Sequence, residues 1–132
     1  MDKNQRPFGL HLMIDAYDCN PAVLNDANVV YKLLDELPEK IGMKKLIKPY
    51  VVFAEANDKK DPGGWSGFVI IQESHIAIHT FIKRRFITVD VYSCTEFDTE
   101  FAIQYFKDIF KTNDMEIEIE KRGKKYPSEN ID

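Results

Sequence analysis

The chain is poor in the residues that most often announce a chemistry. Only two cysteines occur, Cys19 and Cys94. A single pair in a chain with no secretory signature excludes a disulfide framework, so each thiol is read singly, as core filler or as a reactive group. There is no CxxC, no HExxH and no GxSxG elbow, which removes the common zinc-ligand and hydrolase signatures. No run approaches the about 18 apolar residues that cross a bilayer. The opening "MDKNQRPFGLHLMIDAYDC" has no apolar core of signal-peptide type. A cytoplasmic protein without a membrane partner is expected. Basic excess is missing too: 18 Lys+Arg stand against 22 Asp+Glu, a net charge of -4, so no nucleic-acid partner is expected. The runs "KRR" (83–85) and "KRGKK" (121–125) are read as solvated strand ends.

What is present suits one folded domain, 1–132. A composition 44% hydrophobic and 30% charged is globular, and the length supports one core but not two. Residues 8–17 alternate as a first strand. Asn20 and Pro21 then open a helix with an apolar stripe of Val30, Leu33, Leu34 and Leu37, and Gly42 is a plausible stop. A second strand over 46–56 contains Pro49, which points to an edge or a bulge, and the polar loop "NDKKDPGG" follows. Three β-rich runs, 66–74, 75–82 and 85–94, predict a meander. Residues 98–112 read as an amphipathic helix with an acidic first turn, a Phe101, Tyr105 and Ile109 stripe with Phe106 and Phe110 beside it, and a Lys-rich end, and "MEIEIEKR" is a last alternating strand. The order β-α-β-β-β-β-α-β predicts an α+β fold: an antiparallel sheet with two amphipathic helices on one face. The other face is left to solvent or a partner.

The stretch "IQESHIAIHT" (71–80) carries the chemistry. His75 and His79 could share a metal on a helix, but in a strand they lie roughly 13 Å apart, so no metal is expected. Ser74 as a hydrolase nucleophile lacks its elbow and an evident Asp partner. A third reading uses the Glu73-Ser74 peptide bond itself. A serine hydroxyl can attack the preceding carbonyl, turning amide into ester. β-Elimination then cuts the chain and leaves a dehydroalanine that hydrolyses to a pyruvoyl group. That ketone can form a Schiff base with a substrate amine and accept the electrons released when CO2 departs.

With those residues in view, "GWSGFVIIQESHIAIHTF" followed by "VDVYSC" resembles the small prokaryotic S-adenosylmethionine decarboxylases, a pyruvoyl-dependent family of self-processing proenzymes. "GLHLMIDAYDCNPAVLND" and "EIEIEKRG" resemble the family's opening and closing elements. The resemblance implies cleavage between Glu73 and Ser74 into a β chain of 1–73 and an α chain of 74–132 that begins with the pyruvoyl made from Ser74. It implies that Ser66 positions the ester, that His79 is the base for β-elimination and that Cys94 returns a proton to the substrate carbon. Cys19 falls where the family often has a cysteine, with no role assigned. Taken singly, Glu73 also reads as a solvated strand end, His75 as the partner of a nearby carbonyl and His11 as structural.

Two departures concern the substrate. The family usually follows "IHT" with Trp-Pro-Glu, where this chain has Phe81, Ile82 and Lys83. Phe81 can still stack, but Lys83 cannot accept hydrogen bonds from a ribose diol. The loop before Ser66 is longer than usual, and Trp65 in it reads either as a substitute aromatic or as packing at the loop base. Glu55, Asp58 and Asp61 read as solvated or as ligands for a cationic side chain. The expected activity is therefore S-adenosylmethionine decarboxylation for spermidine synthesis. A pyruvoyl-dependent arginine or ornithine decarboxylase and an unprocessed regulatory paralogue are the alternatives. Ser74 and His79 fall on opposite faces of an extended strand, roughly 16 Å apart. A homodimer is therefore expected, in which Ser66 and His79 of one chain meet Ser74 and Cys94 of the other, with a bend at the cleavage site as the alternative.

Overall fold

A computed structural model describes residues 7–57 and 62–127. Asp58 and Asp61 lie outside the described residues, and Glu55 is exposed. The elements are β1 (Gly9–Tyr17), α1 (Pro21–Leu24), α2 (Ala27–Lys40), β2 (Tyr50–Ala54), β3 (Gly64–Ile71), β4 (Ser74–Phe81), β5 (Phe86–Ser93), α3 (Thr99–Phe110) and β6 (Asp114–Arg122). All six strands join one antiparallel sheet in the order β2-β3-β4-β5-β1-β6. The expected α+β architecture is therefore present. Pro49 precedes β2, which is an edge strand, where a missing N–H costs no ladder bond.

Period-two alternation sends one set of strand residues to the helices. Leu12, Ile14 and Ala16 of β1, Ile76 and Ile78 of β4, and Ile87, Val89 and Val91 of β5 are all buried there. Against them pack Val30, Leu33, Leu34 and Leu37 of α2 and Ala102, Phe106 and Phe110 of α3. Each fully buried side chain of this kind contributes about 1.5–3 kcal/mol relative to exposure. This core holds the sheet rigid and leaves its other face open.

Four boundaries differ from the sequence reading. The expected first helix is two: Asn20 caps α1 through its side chain on the Ala22 N–H, and Asp26 caps α2 on Asn28 and Val29. Asn and Asp six residues apart each offer the backbone a local acceptor, and the chain uses both. β2 is shorter than expected, because Lys45 bridges to Ile71 and the Leu46 N–H bonds the Ile70 carbonyl at 2.9 Å. Most consequential, the turn expected between Ser74 and His75 falls two residues earlier. Ile71 pairs with Ser74, so Gln72 and Glu73 form a two-residue hairpin and Ser74 begins β4. Residues 82–84, expected as strand end and turn, make a single 3-10 turn.

Candidate active site

The open face of the sheet is a lattice read directly from the register. One transverse row runs Ile70, His75, Tyr92, His11, Glu120; the next runs Tyr50, Phe68, Ala77, Asp90, Met13, Glu118. A third runs Val52, Ser66, His79, Thr88, Asp15, Glu116. The β2–β3 side is apolar, with Tyr50 58%, Val52 45%, Phe68 39% and Ile70 38% exposed, whereas the β6 side is a column of glutamates.

In the third row Ser66 Oγ lies 2.8 Å from His79 Nδ1. The strand register places the two directly opposite, so the pair needs no loop to form it. When His79 Nδ1–H donates to Ser66 Oγ, the Nε2 lone pair is free to take a proton.

The second group of chemical interest sits at the tip of the β3–β4 hairpin. Ser74 has φ of +149°, a region that a residue with a Cβ rarely adopts and that costs roughly 1–3 kcal/mol unless its surroundings enforce it. The surroundings do so from two sides. The Cys94 N–H donates to the Glu73 carbonyl at 2.8 Å, and the Gln72 N–H donates to the Lys44 carbonyl at 2.8 Å. The Lys44 N–H reaches Glu73 Oε1 at 3.4 Å. Glu73 is thus the anchored end of a turn. Cys94 follows β5 in a tight turn of its own, in which buried Ser93 Oγ accepts from the Thr95 N–H at 2.9 Å. Sequence reading passed over Ser93, although Ser one residue before the expected thiol is an ordinary signal for such a turn.

The structure therefore forms two half-sites. Ser66 joins His79, and Ser74 joins Glu73 and Cys94, but the halves stand five residues apart along β4, roughly 16 Å at strand rise. Phe81 lies at the far end of β4, packed on Phe86 at 5.4 Å, with Tyr17 beyond at 5.1 Å. Trp65 faces away from Ser66: its indole packs edge-on to Phe53 at 5.0 Å and its Nε1–H points to Asn25 Oδ1 at 3.4 Å. Strand alternation puts Trp65 on the helix side, so it is packing at the loop base and no neighbour of Phe81. Lys83 is exposed in the 3-10 turn after Phe81.

The remaining titratable groups explain themselves by neighbours. His11 pairs with Asp90 at 2.8 Å, and Arg122 stacks over Tyr92 at 4.5 Å. His75 rests edge-on against the same Tyr92 at 5.5 Å, where a carbonyl partner had been the plain expectation. Asp15 is held above the ordinary carboxylate range, first by burial and then by Glu116 and Asp90. Burial pushes the Cys19 thiol up to about 11, helped by Asp18, which makes it a protonated core residue. Cys94, only partly buried, is the accessible thiol. Among the described residues no group of three or more His, Cys, Asp or Glu side chains is placed to hold a metal ion, and no helix is long and apolar enough to cross a membrane.

Comparison with known proteins adds kinship to this geometry. A family profile described as S-adenosylmethionine decarboxylase matches residues 10–123. An S-adenosylmethionine decarboxylase proenzyme of Clostridium botulinum (strain Langeland) is 33% identical over 117 residues, covering 88% of this chain and 95% of that protein. One from Pyrococcus horikoshii is 34% identical over 117 residues, 88% of this chain and 79% of its own length. The crystal structure of the adenosylmethionine decarboxylase from Aquifex aeolicus VF5 superposes with a TM-score of 0.75 at 24% identity, over 89% of this chain and 92% of that one. That last match speaks for the fold.

Proposed function

The chain belongs to the S-adenosylmethionine decarboxylase family, and on that premise we propose that it is a self-cleaving, pyruvoyl-dependent S-adenosylmethionine decarboxylase serving spermidine synthesis. The observation that carries the reading is the Glu73-Ser74 peptide. It lies at a hairpin tip, its carbonyl already accepts the Cys94 N–H at 2.8 Å, and its serine has φ of +149°.

Each feature suits the acyl shift. Ser74 Oγ attacks the Glu73 carbonyl carbon, the C–N bond breaks, and the nitrogen stays on Ser74 as an amine. The Cys94 N–H is a donor already in place for the oxygen that becomes negative at the tetrahedral stage. Relaxing a strained φ lowers the cost of leaving the amide. His79 then removes the Ser74 Cα proton, the Glu73 carboxylate departs, and water releases ammonia from the dehydroalanine nitrogen to give the pyruvoyl group.

Within one chain His79 stands too far from Ser74 for that step. The two half-sites are related by a centre near Ala77, the smallest residue on the open face of β4. A two-fold axis there would bring Ser66 and His79 of one chain to the β3–β4 hairpin end of a second, where Ser74, Glu73 and Cys94 stand. Ser74, which the strand alternation starts on the helix side, would meet them through its turn at the hairpin tip. The exposed apolar residues of β2 and β3 support such a dimer, because an uncovered patch of this kind on a sheet is an interface in waiting.

A pyruvoyl group supplies an electrophilic carbonyl that binds a substrate amine and takes up the electron pair left by CO2. On this reading Cys94, the partly buried thiol beside the hairpin tip, returns the proton, and Phe81 with Phe86, at the far end of β4, would come from the second chain as an aromatic surface for a purine. Intact mass under denaturing conditions tests the reading: two fragments divided after Glu73 support it, and a single species of 15.4 kDa refutes it in favour of an unprocessed regulatory protein. The exposed Lys83 in place of an acid favours one second reading, an arginine or ornithine decarboxylase with the same machinery. CO2 release from the three substrates separates them, and no release from S-adenosylmethionine sinks the first.

A further inference from the structure

Next to the cleavage site stands a residue whose lack of a side chain has a geometric reason. Gly9 opens β1, one position before the Leu10–Ser93 pair. A Cβ built on Gly9 would lie 2.2 Å from the Ser93 carbonyl oxygen and 2.9 Å from Cys94 Cα. Both are backbone atoms, so no rotamer change relieves the overlap. The φ of Gly9 is not positive, and the constraint is therefore space alone.

The same short segment holds the scissile bond. Ser93 is the strand partner of Ser74, its Oγ fixes the following turn through the Thr95 N–H at 2.9 Å, and the next N–H, that of Cys94, bonds the Glu73 carbonyl at 2.8 Å. β1 pressed against Ser93 and Cys94 from one side and the hairpin held on the other leave this N–H a single position. We infer that Gly9 is a positioning residue for self-cleavage: by admitting β1 against the Ser93–Cys94 backbone it seats the Cys94 N–H on the carbonyl that Ser74 attacks. The inference rests on the self-cleaving reading and adds to it a residue on a different strand that touches neither reacting group.

The acyl shift is the step concerned. As the Ser74 Oγ–C bond forms, the carbonyl electron pair moves onto the Glu73 oxygen, where the Cys94 N–H meets it; collapse expels the nitrogen, which gains a proton. A displaced donor weakens this step and leaves β-elimination by His79 untouched. The expectation is an acyl shift slowed by about 10–100-fold, less than or comparable to complete loss of such a donor.

The test separates the steps in the full-length chain. In a His79→Ala background elimination is blocked, and hydroxylamine cuts only molecules that have reached the ester. Freshly synthesised His79→Ala protein is treated with hydroxylamine, alone and combined with Gly9→Ala or Gly67→Ala. Gly67 is a packing control: its added Cβ would meet Leu34 Cδ1 at 2.8 Å, beneath α2 and remote from the hairpin. Slow hydroxylamine cleavage with Gly9→Ala and an unchanged rate with Gly67→Ala is the expected result. An unchanged rate with Gly9→Ala, or equal slowing by Gly67→Ala, overturns the inference. If Gly9→Ala does not fold, Ser93→Ala replaces it, since it loosens the same seat by releasing the Thr95 N–H; cleavage at the parent rate then overturns the inference. Failure of the underlying reading looks different: the otherwise unaltered chain stays full length, and His79→Ala gives no fragments with hydroxylamine.

Discussion

Mixing two inactive chains is the sharpest test of a site divided between subunits. Suppose differently tagged Ser74→Ala and His79→Ala chains are co-expressed in equal amounts. Ser74→Ala has no hydroxyl to attack with and stays whole in every pairing. His79→Ala keeps its hydroxyl, its Glu73 carbonyl and the Cys94 N–H bond at 2.8 Å, but has lost the base, whose removal slows proton transfer by about 10²–10⁴-fold. Its own strand cannot compensate, because position 79 lies roughly 16 Å from Ser74. In a mixed dimer one site joins the intact Ser74 of the second chain to the intact Ser66–His79 pair of the first, and the other site lacks both. Random pairing places about half of the His79→Ala chains in mixed dimers, so about half of them should be cut promptly. Sequential tag purification followed by denaturing mass measurement reads this fraction. Uncut His79→Ala chains in isolated mixed dimers would refute the divided site and require the β3–β4 hairpin to fold back on itself.

Further expectations concern the same sheet, in the uncut Ser74→Ala chain where stability is defined for one polypeptide. Asp15 has a raised pKa in the folded chain, so its ionisation opposes folding. That penalty is fully present above the folded pKa and fades as pH falls through it. Asp15→Asn should thus raise the urea midpoint at neutral pH, with a gain that shrinks on acidification; a gain that grows in acid contradicts the assignment. Phe106, fully buried, should cost about 3–5 kcal/mol as Phe106→Ala, read by denaturant unfolding. Thiol titration of the native chain should find one prompt group, Cys94, and two after denaturation, since Cys19 is buried and its thiol is held near 11.

Most of the fold was legible because its signals are periodic. β5 alternates Ile87, Val89 and Val91 with Thr88, Asp90 and Tyr92. α3 was legible as an amphipathic helix, but its buried stripe is Ala102, Phe106 and Phe110, one position on from Phe101, Tyr105 and Ile109, because apolar side chains cover both neighbouring lines of the helix. The hairpin was misplaced because "VIIQESHIAI" has no Gly, Pro or Asn to punctuate it; Gln72 and Glu73 turn through the pairing of Ile71 with Ser74 and the clamp from residues 44–46, which are tertiary. Ser66 with His79 was legible as a motif, and only the register shows why they touch. Trp65 was ambiguous because one residue of alternation separates the two faces. Gly9 carried no signal, since a glycine at a strand start looks the same whether or not a neighbouring backbone needs the room.

The strand order has a consequence for what a cut at residue 73 leaves behind. Strands β1, β2 and β3 belong to the first fragment and β4, β5 and β6 to the second, yet β1 lies between β5 and β6. The fragments are thus interleaved like two hands with the fingers laced, joined along β3–β4, β1–β5 and β1–β6. Separating them means unzipping three ladders and opening the shared core together. A nicked molecule of this topology behaves as one particle, and the break at the hairpin tip frees a new chain end without freeing either half.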